Sequence, residues 1–295
     1  MVKPTPSTPI IDALRVRRAF ARAAGGYEAA AAVPREVASR MLERLDYVKI
    51  DPRLVVDLGC GAGGALNALG ERYPRARLVG IDACEAMLRV GHERRAQLRW
   101  LLPFLPGPKR SALIAADAQA LPLAPGAAGL VWSNLMLHWL ADPLAGLREA
   151  QRALETGGLL MFSTLGPDSL KEVRACFGDE YEHTLRFIDM HDYGDMLIGC
   201  GFADPVMDAE RLTVTYPTAA ALFAELRQTG STCAAPGRRR GLMGRRTWQA
   251  ACRAYERHAD GRLPVTLEVI YGHAWKAEPR TAPDGRKVIR FAERE

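Results

Sequence analysis

The sequence predicts an α/β, Rossmann-like fold: a mostly parallel sheet with an antiparallel edge strand, an N-terminal helical segment and a helical insert near the C-terminus. Three observations predict it. Leu54–Leu58 is a short apolar run that breaks into alternating glycines and then a helical pattern, as a buried parallel strand does on turning into a helix N-terminus. Apolar runs ending in an acid recur at Arg77–Asp82 and Leu113–Asp117, with helical pattern after the first. Finally, Val206–Tyr216 and Val265–Trp275 alternate like strands that pair antiparallel at a sheet edge, with helical segments between them.

The elements follow in order. Ile11–Ala23 mixes apolar residues with Arg15, Arg17, Arg18 and Arg22 as a basic amphipathic helix does, and Gly25–Gly26 ends it. A second helical pattern runs from Tyr27 to Leu45, with Val37, Met41 and Leu45 in step and Pro34 near one turn. Ala65–Tyr73 is the first crossover helix, stopped by Pro74, and Glu85–Ala96 the next, with Met87 facing core or cofactor and His92 on the surface. Pro103–Lys109 reads as a proline-broken loop. Leu130–Asn134 is a fourth strand that opens into the polar-aromatic run Asn134–Trp139. The helix Pro143–Leu154 is read as capped by Gly157–Gly158, ahead of a fifth strand at Leu159–Ser163. Asp168 or Ser169 is expected to cap the helix Leu170–Cys176, and Asp189 the short helix before Gly199. Ala219–Gln228 and Thr247–His258 read as helices separated by an arginine-rich loop. These readings divide the chain into a helical lid at 1–50, a main domain at 51–276 with an insert at about 217–262, and a polar tail at 277–295.

The glycine loop satisfies two patterns. Gly59, Gly61 and Gly64 match the dinucleotide fingerprint, whereas Asp57, Gly59, Gly61 and Gly63 match D-x-G-x-G-x-G. The acid before the first glycine separates them, because a carboxylate repels a pyrophosphate but suits a ligand carrying an ammonium and a sulfonium. That reading points to S-adenosylmethionine (SAM). Asp82, about twenty residues on, is placed to accept both hydroxyl hydrogens of a ribose. Its bland reading is a helix N-cap for Cys84. Asp117 ends the third strand, where a carboxylate can accept from an adenine amino group. Met87, Ala118 and Asn134 complete the expected cofactor set; Tyr27 sits in a segment that either covers the cofactor as a lid or packs on the sheet edge, and His138 and Trp139 face either the reaction cleft or the interior, with Tyr27 and His138 the candidates for a catalytic role.

At 295 residues and 48% hydrophobic, the chain is long enough for one large α/β domain with accessory elements. The six cysteines show no C-x-x-C spacing, which argues against a zinc site or a disulfide framework and fits a reducing cytoplasm. No run approaches the roughly 18 apolar residues of a membrane span. Net charge is +6, with Arg238, Arg239, Arg240, Arg245 and Arg246 clustered, so the expected partner is acidic or the cluster is a solvated surface. No metal site, nucleic-acid partner or membrane partner is expected, and the oligomeric state is not legible.

With these residues in view, the chain resembles the malonyl-acyl-carrier-protein O-methyltransferases of biotin synthesis over nearly its whole length. Val56–Gly61, Gly80–Asp82 and Asp117–Ala118 are general to the class I methyltransferase fold, and more specific are Phe162–Arg174, Asp189–Asp192 with Gly194–Asp195, and Pro205–Asp208. The resemblance implies SAM held by Asp57, Gly59, Gly61, Asp82 and Asp117, with Tyr27 close to it. It also implies a malonyl-bearing acyl carrier protein as substrate, entering between the N-terminal helices and the insert. A second resemblance implies an alternative. Leu226–Cys233, Tyr255 and Pro264–Trp275 are similar to mitochondrial complex I assembly factors on the same fold, reported as arginine hydroxylases.

Overall fold

The computed structural model describes residues 11–101 and 111–278, with side chains described through 97 in the first segment. The expectations for the first ten residues, for Pro103–Lys109 and for most of the polar tail lie outside these. The N-terminal helices are α1 (Ala13–Ala23), α2 (Tyr27–Ala30) and α3 (Ala32–Arg44), followed by β1 (Leu54–Leu58), α4 (Leu66–Arg72), β2 (Arg77–Asp82), α5 (Glu85–Leu101) and β3 (Ser111–Ala115). The chain continues through β4 (Ala128–Ser133), α6 (Pro143–Ala153), β5 (Leu154–Leu165), α7 (Lys171–Cys176) and α8 (Met190–Gly199). It closes with β6 (Phe202–Tyr216), α9 (Ala219–Gln228), α10 (Arg245–Ala254) and β7 (Leu263–Lys276).

The strands form one sheet in the order β3-β2-β1-β4-β5-β7-β6. β1 to β5 run parallel, and β7 is antiparallel to both β5 and β6, so the antiparallel pairing predicted for the two late strands is observed. Side chains alternate across the sheet as a period of two requires. Val55, Leu130, Trp132 and Met161 face a core shared with Val37 and Met41 of α3 and Leu66 and Leu69 of α4. Val56, Val131, Leu160 and Phe162 face the opposite core, built with Leu147 of α6 and Tyr193 and Leu197 of α8. Among the described residues no helix is long and apolar enough to cross a membrane.

Several local expectations change. The helix expected from Tyr27 to Leu45 breaks at Ala31. Pro34 has no N–H for the carbonyl of Ala30, so it is tolerated only in the first turn of a new helix, where it sits. Gly157 and Gly158 do not cap α6: Leu154 is already extended, and Gly157, at φ +77°, lies where the β4–β5 register shifts. Neither Asp168 nor Ser169 caps α7, which starts after Leu170 at φ +58°. Asp168 instead pairs with Arg211 at 2.5 Å, and the Ser169 hydroxyl donates to the Glu268 carbonyl and accepts from the Glu268 N–H, tying this loop to β7. Asp189 does cap α8, accepting from the His191 N–H at 2.8 Å. The helix expected to reach His258 stops at Ala254, where Tyr255 turns extended and donates its hydroxyl to the Pro264 carbonyl at 2.7 Å.

Gly272 of β7 lies directly opposite the fully buried Phe162 of β5, and a Cβ there would stand 2.4 Å from the Phe162 ring. Gly272→Ala is therefore expected to lower unfolding stability by about 1–3 kcal/mol through overpacking. Urea denaturation of the two proteins checks this.

Candidate active site

Strand ends and loops on the carboxyl side of the sheet enclose a cavity of about 690 Å³, roofed by α1, α2, α9 and the segment after α9. This is where open α/β sheets take ligands. Gly59, Gly61 and Gly63 all adopt positive φ (+74°, +55° and +81°) in the turn from β1, a region that penalises any side chain. A Cβ on Gly59 would also stand 2.3 Å from Met136. The N–H groups of Gly59 and Cys60 both donate to the Ile81 carbonyl, which pins the loop to β2.

Asp82 lies at the C-terminal end of β2. Its carboxylate accepts from the Gly61 N–H at 2.8 Å and from the Cys84 N–H at 2.7 Å, so it braces the turn ahead of α5 and the glycine loop at once. It also lines the cavity, and each oxygen keeps a second lone pair. Burial raises its pKa and these two N–H groups oppose the rise. Asp57 differs. It is 2% exposed, and its carboxylate accepts no hydrogen bond from the described residues. Desolvation, with the neighbouring Asp82 charge second, pushes its pKa up to about 7. A buried carboxylate without a partner fits a cationic group bound beside it, as the ammonium and sulfonium of SAM would be.

Asp117, Ala118 and Met87 line the same cavity, whereas Asp57 lies beneath its wall. The Asp117 carboxylate accepts from the Gln119 N–H at 2.9 Å and stays accessible. Met87 is buried, placed 3.6 Å from where a Gly61 Cβ would sit. Gly63 does not line the cavity but packs under Leu66, Leu113 and Arg95, so its requirement is conformational. Asn134 donates to the Pro34 carbonyl at 2.9 Å and accepts from the Ser163 hydroxyl at 2.8 Å, locking α3 to the ends of β4 and β5.

Tyr27, His138 and Trp139 all line the cavity. Burial pushes the Tyr27 phenol up to about 12 and the His138 imidazole down to about 3, so both are neutral at physiological pH. His138 Nδ1 lies 3.2 Å from the Thr164 hydroxyl. Two rings that pattern reading passed over belong to the same wall. Phe20 of α1 meets Trp139 edge-on at 5.3 Å, and Phe187 meets His138 at 5.7 Å. His183 was missed too: it lines the cavity with its ring stacked on Phe177 at 3.6 Å and Nε2 2.6 Å from Asp179. Helical periodicity gave Phe20 only as an apolar position, and no spacing marked His183 or Phe187.

None of Arg238, Arg239 and Arg240 lines the cavity. Arg238 is largely buried, pairing with Asp12 at 2.9 Å and donating to the Ala235 carbonyl. Arg239 lies over the Tyr181 ring at 4.8 Å. Arg240 is exposed, as are Arg245 and Arg246, and between them Leu242 is 98% exposed.

A family model described as a methyltransferase domain matches residues 56–162. The malonyl-[acyl-carrier protein] O-methyltransferase of Gallionella capsiferriformans is 46% identical over 284 residues, spanning 95% of this chain and 97% of that one. The protein of the same name from Laribacter hongkongensis is 47% identical over 289 residues, spanning 95% and 96%. In three dimensions the chain is similar to the YcgJ protein of Bacillus subtilis, with a TM-score of 0.59 at 14% identity, covering 83% of this chain and all of that one. That last likeness carries the fold alone.

The raised pKa of Asp57 means the native ligand-free protein holds a proton that the unfolded chain has lost, so stability falls as pH rises from about 4 through about 7. Asp57→Asn is expected to flatten that decline. Urea denaturation of both proteins across this range, without ligand, measures it.

Proposed function

The chain belongs to the malonyl-acyl-carrier-protein O-methyltransferases, and from that premise we propose that it methylates the free carboxylate of a malonyl thioester on acyl carrier protein, using SAM. The observation that carries the proposal is identity of 46% over 95% of the chain, which takes in the N-terminal helices and the C-terminal insert as well as the glycine-loop half. Arginine hydroxylation, the alternative implied by the second resemblance, is not favoured by these relatives. The product is the malonyl methyl ester, the starting unit for pimeloyl and biotin synthesis.

In this reading Asp82 faces the ribose hydroxyls and Asp117 the adenine, with Gly59 and Gly61 giving close backbone approach, while Asp57 supplies negative charge to the ammonium of SAM from beneath the cavity wall. Met87, Ala118 and Asn134 shape the same wall. When bound, SAM supplies a methyl group on a sulfonium leaving group. The malonyl carboxylate is ionised at neutral pH, so the protein has no proton to remove from the nucleophile. The work left to the chain is alignment and exclusion of water, and alignment alone can supply ~7–11 kcal/mol of a barrier. The lid elements α1 and α2, carrying Phe20 and Tyr27, would provide the exclusion. Neutral His138 can donate one hydrogen bond to orient the carboxylate; it carries no charge to neutralise it.

Mass spectrometry of malonyl-acyl carrier protein incubated with SAM and the enzyme is expected to show a single added methyl group. The gene is expected to restore growth of a biotin-requiring strain lacking its malonyl methyltransferase. Hydroxylated arginine on a protein substrate, with no methyl ester, would sink the proposal. Because His138 is neutral across the range, saturated kcat should stay flat from about pH 6.5 to about pH 8.5, where an ordinary histidine base would give a rising limb.

The acidic carrier is proposed to dock on the exposed arginines, Arg240, Arg245 and Arg246, around Leu242 rather than on Arg238 and Arg239, which are engaged within the fold. Replacing these three with glutamate should raise the KM for the carrier severalfold at low salt, with the difference shrinking as salt screens the surface. A salt-independent KM equal to the wild type would leave the loop as plain solvated surface.

A further inference from the structure

Five rings follow one another along the cavity wall. Tyr27 and Phe20 stand 6.4 Å apart, Phe20 and Trp139 5.3 Å, Trp139 and His138 5.1 Å, and His138 and Phe187 5.7 Å. All five line the cavity, and they come from three separate parts of the chain: the lid, the turn after β4 and the segment before α8. At one end Phe20 and Tyr27 pack on Cys84 and Met87, beside Asp82. At the other end Phe187 packs with Leu185 and Trp139 in a cluster that Phe20 also joins. The row therefore crosses from the nucleoside end of the cavity to the end left for the acyl group, and the atom that joins those two ends in a methyl donor is its sulfonium.

We propose that this aromatic row, with Phe20 and Trp139 at its centre, recognises the positive charge of the methyl donor through ring faces and so distinguishes SAM from its uncharged thioether product. The inference rests on the functional reading above and deepens it. Ring quadrupoles attract a cation and are indifferent to a neutral thioether of nearly the same shape. Transfer of the methyl group removes the charge, so the row holds the reactant cofactor and releases the spent one. Phe20 sits on α1 and is braced by Gly230, whose Cβ position lies 2.9 Å from the Phe20 ring, so loss of that attraction acts on the contact between the lid and the insert.

The test is calorimetric binding of SAM and of S-adenosylhomocysteine to wild type, Phe20→Leu, Trp139→Leu and the ring-retaining Trp139→Phe. The two ligands share adenine, ribose and amino acid, so the ratio of their dissociation constants isolates the charge. Each leucine variant is expected to weaken SAM roughly five- to thirtyfold while leaving S-adenosylhomocysteine within about twofold, and Trp139→Phe to recover most of the ratio. Equal weakening of both ligands, or of neither, overturns the proposal, because the rings would then serve only packing or adenine stacking. A folded wild-type protein that binds neither ligand overturns the functional reading itself. Circular dichroism of each variant separates lost folding from lost recognition, and the second leucine variant carries the test if the first unfolds.

Discussion

Parallel pairing of β1 between β2 and β4 is the constraint on which the site depends. Val55 and Val56 are fully buried against opposite cores, so the strand cannot slip by one residue without exchanging its two faces. That fixed register sets Asp57 opposite Gly80 and Leu58 opposite Ile81, and it leaves the next two N–H groups within reach of the Ile81 carbonyl. The glycine loop is thus held by β2 at one side and by the Asp82 carboxylate at the other. A carboxylate emerges at the end of each of two neighbouring strands, and a third follows β3. Apolar burial across the sheet sustains a cost at its centre, since Asp57 is desolvated beside Asp82 with no partner from the described residues.

The antiparallel extension serves a different purpose. β7 is fastened to the loop before α7 through Ser169 and through Glu268, whose carboxylate accepts from the Asp168 N–H at 2.8 Å. Glu172 of α7 accepts from the N–H and hydroxyl of Thr266, a buried pairing that fixes helix against strand. β6 and β7 in turn bracket α9 and α10, so the insert is delivered over the cavity from a strand pair that cannot easily shift. Gly230, after α9, then meets Phe20 of α1. The roof is closed by two segments some two hundred residues apart in sequence, tied to each other where Asp12 donates its N–H to the Ala234 carbonyl and pairs with Arg238.

This division explains how much could be read from the chain. Strands ending in acids, the positive-φ glycines and the late antiparallel pair were legible because each is a local pattern with a local cause. Gly157 misled because a glycine after a helix is commonly a cap, whereas here the strand starts at once and the glycine serves a register shift. Arg238 and Arg239 read as free positive charge because a sequence does not show that Asp12 and Tyr181, remote in the chain, come to rest against them. Phe20, Phe187 and His183 went unread for the same reason: an aromatic residue in an amphipathic pattern looks like core until the fold shows that its neighbour is a cavity.

A fold of this kind is shared by proteins of little sequence identity, so the reaction has to be argued from the site's electrostatics. Of the described carboxylates lining the cavity, Asp82, Glu85 and Asp117 lie at the end proposed for the nucleoside, and Glu225 of α9 accepts from the Tyr216 hydroxyl. Along the aromatic row Tyr27 and His138 are neutral, and Arg17 and Arg227, the arginines among the described cavity-lining residues, are exposed at its rim. A substrate carboxylate in the proposed reaction would therefore find its opposite charge on the methyl donor more than on the protein. Methyl transfer consumes both charges and leaves a neutral ester and a neutral thioether. Reactions that destroy charge are favoured where solvent is excluded and the surroundings are apolar, because the reactants are poorly solvated there and the products are not. On that account a row with no buried arginine or lysine among the described residues would itself favour the proposed reaction, since a guanidinium clasping the carboxylate would stabilise the ground state and occupy the oxygen that has to attack.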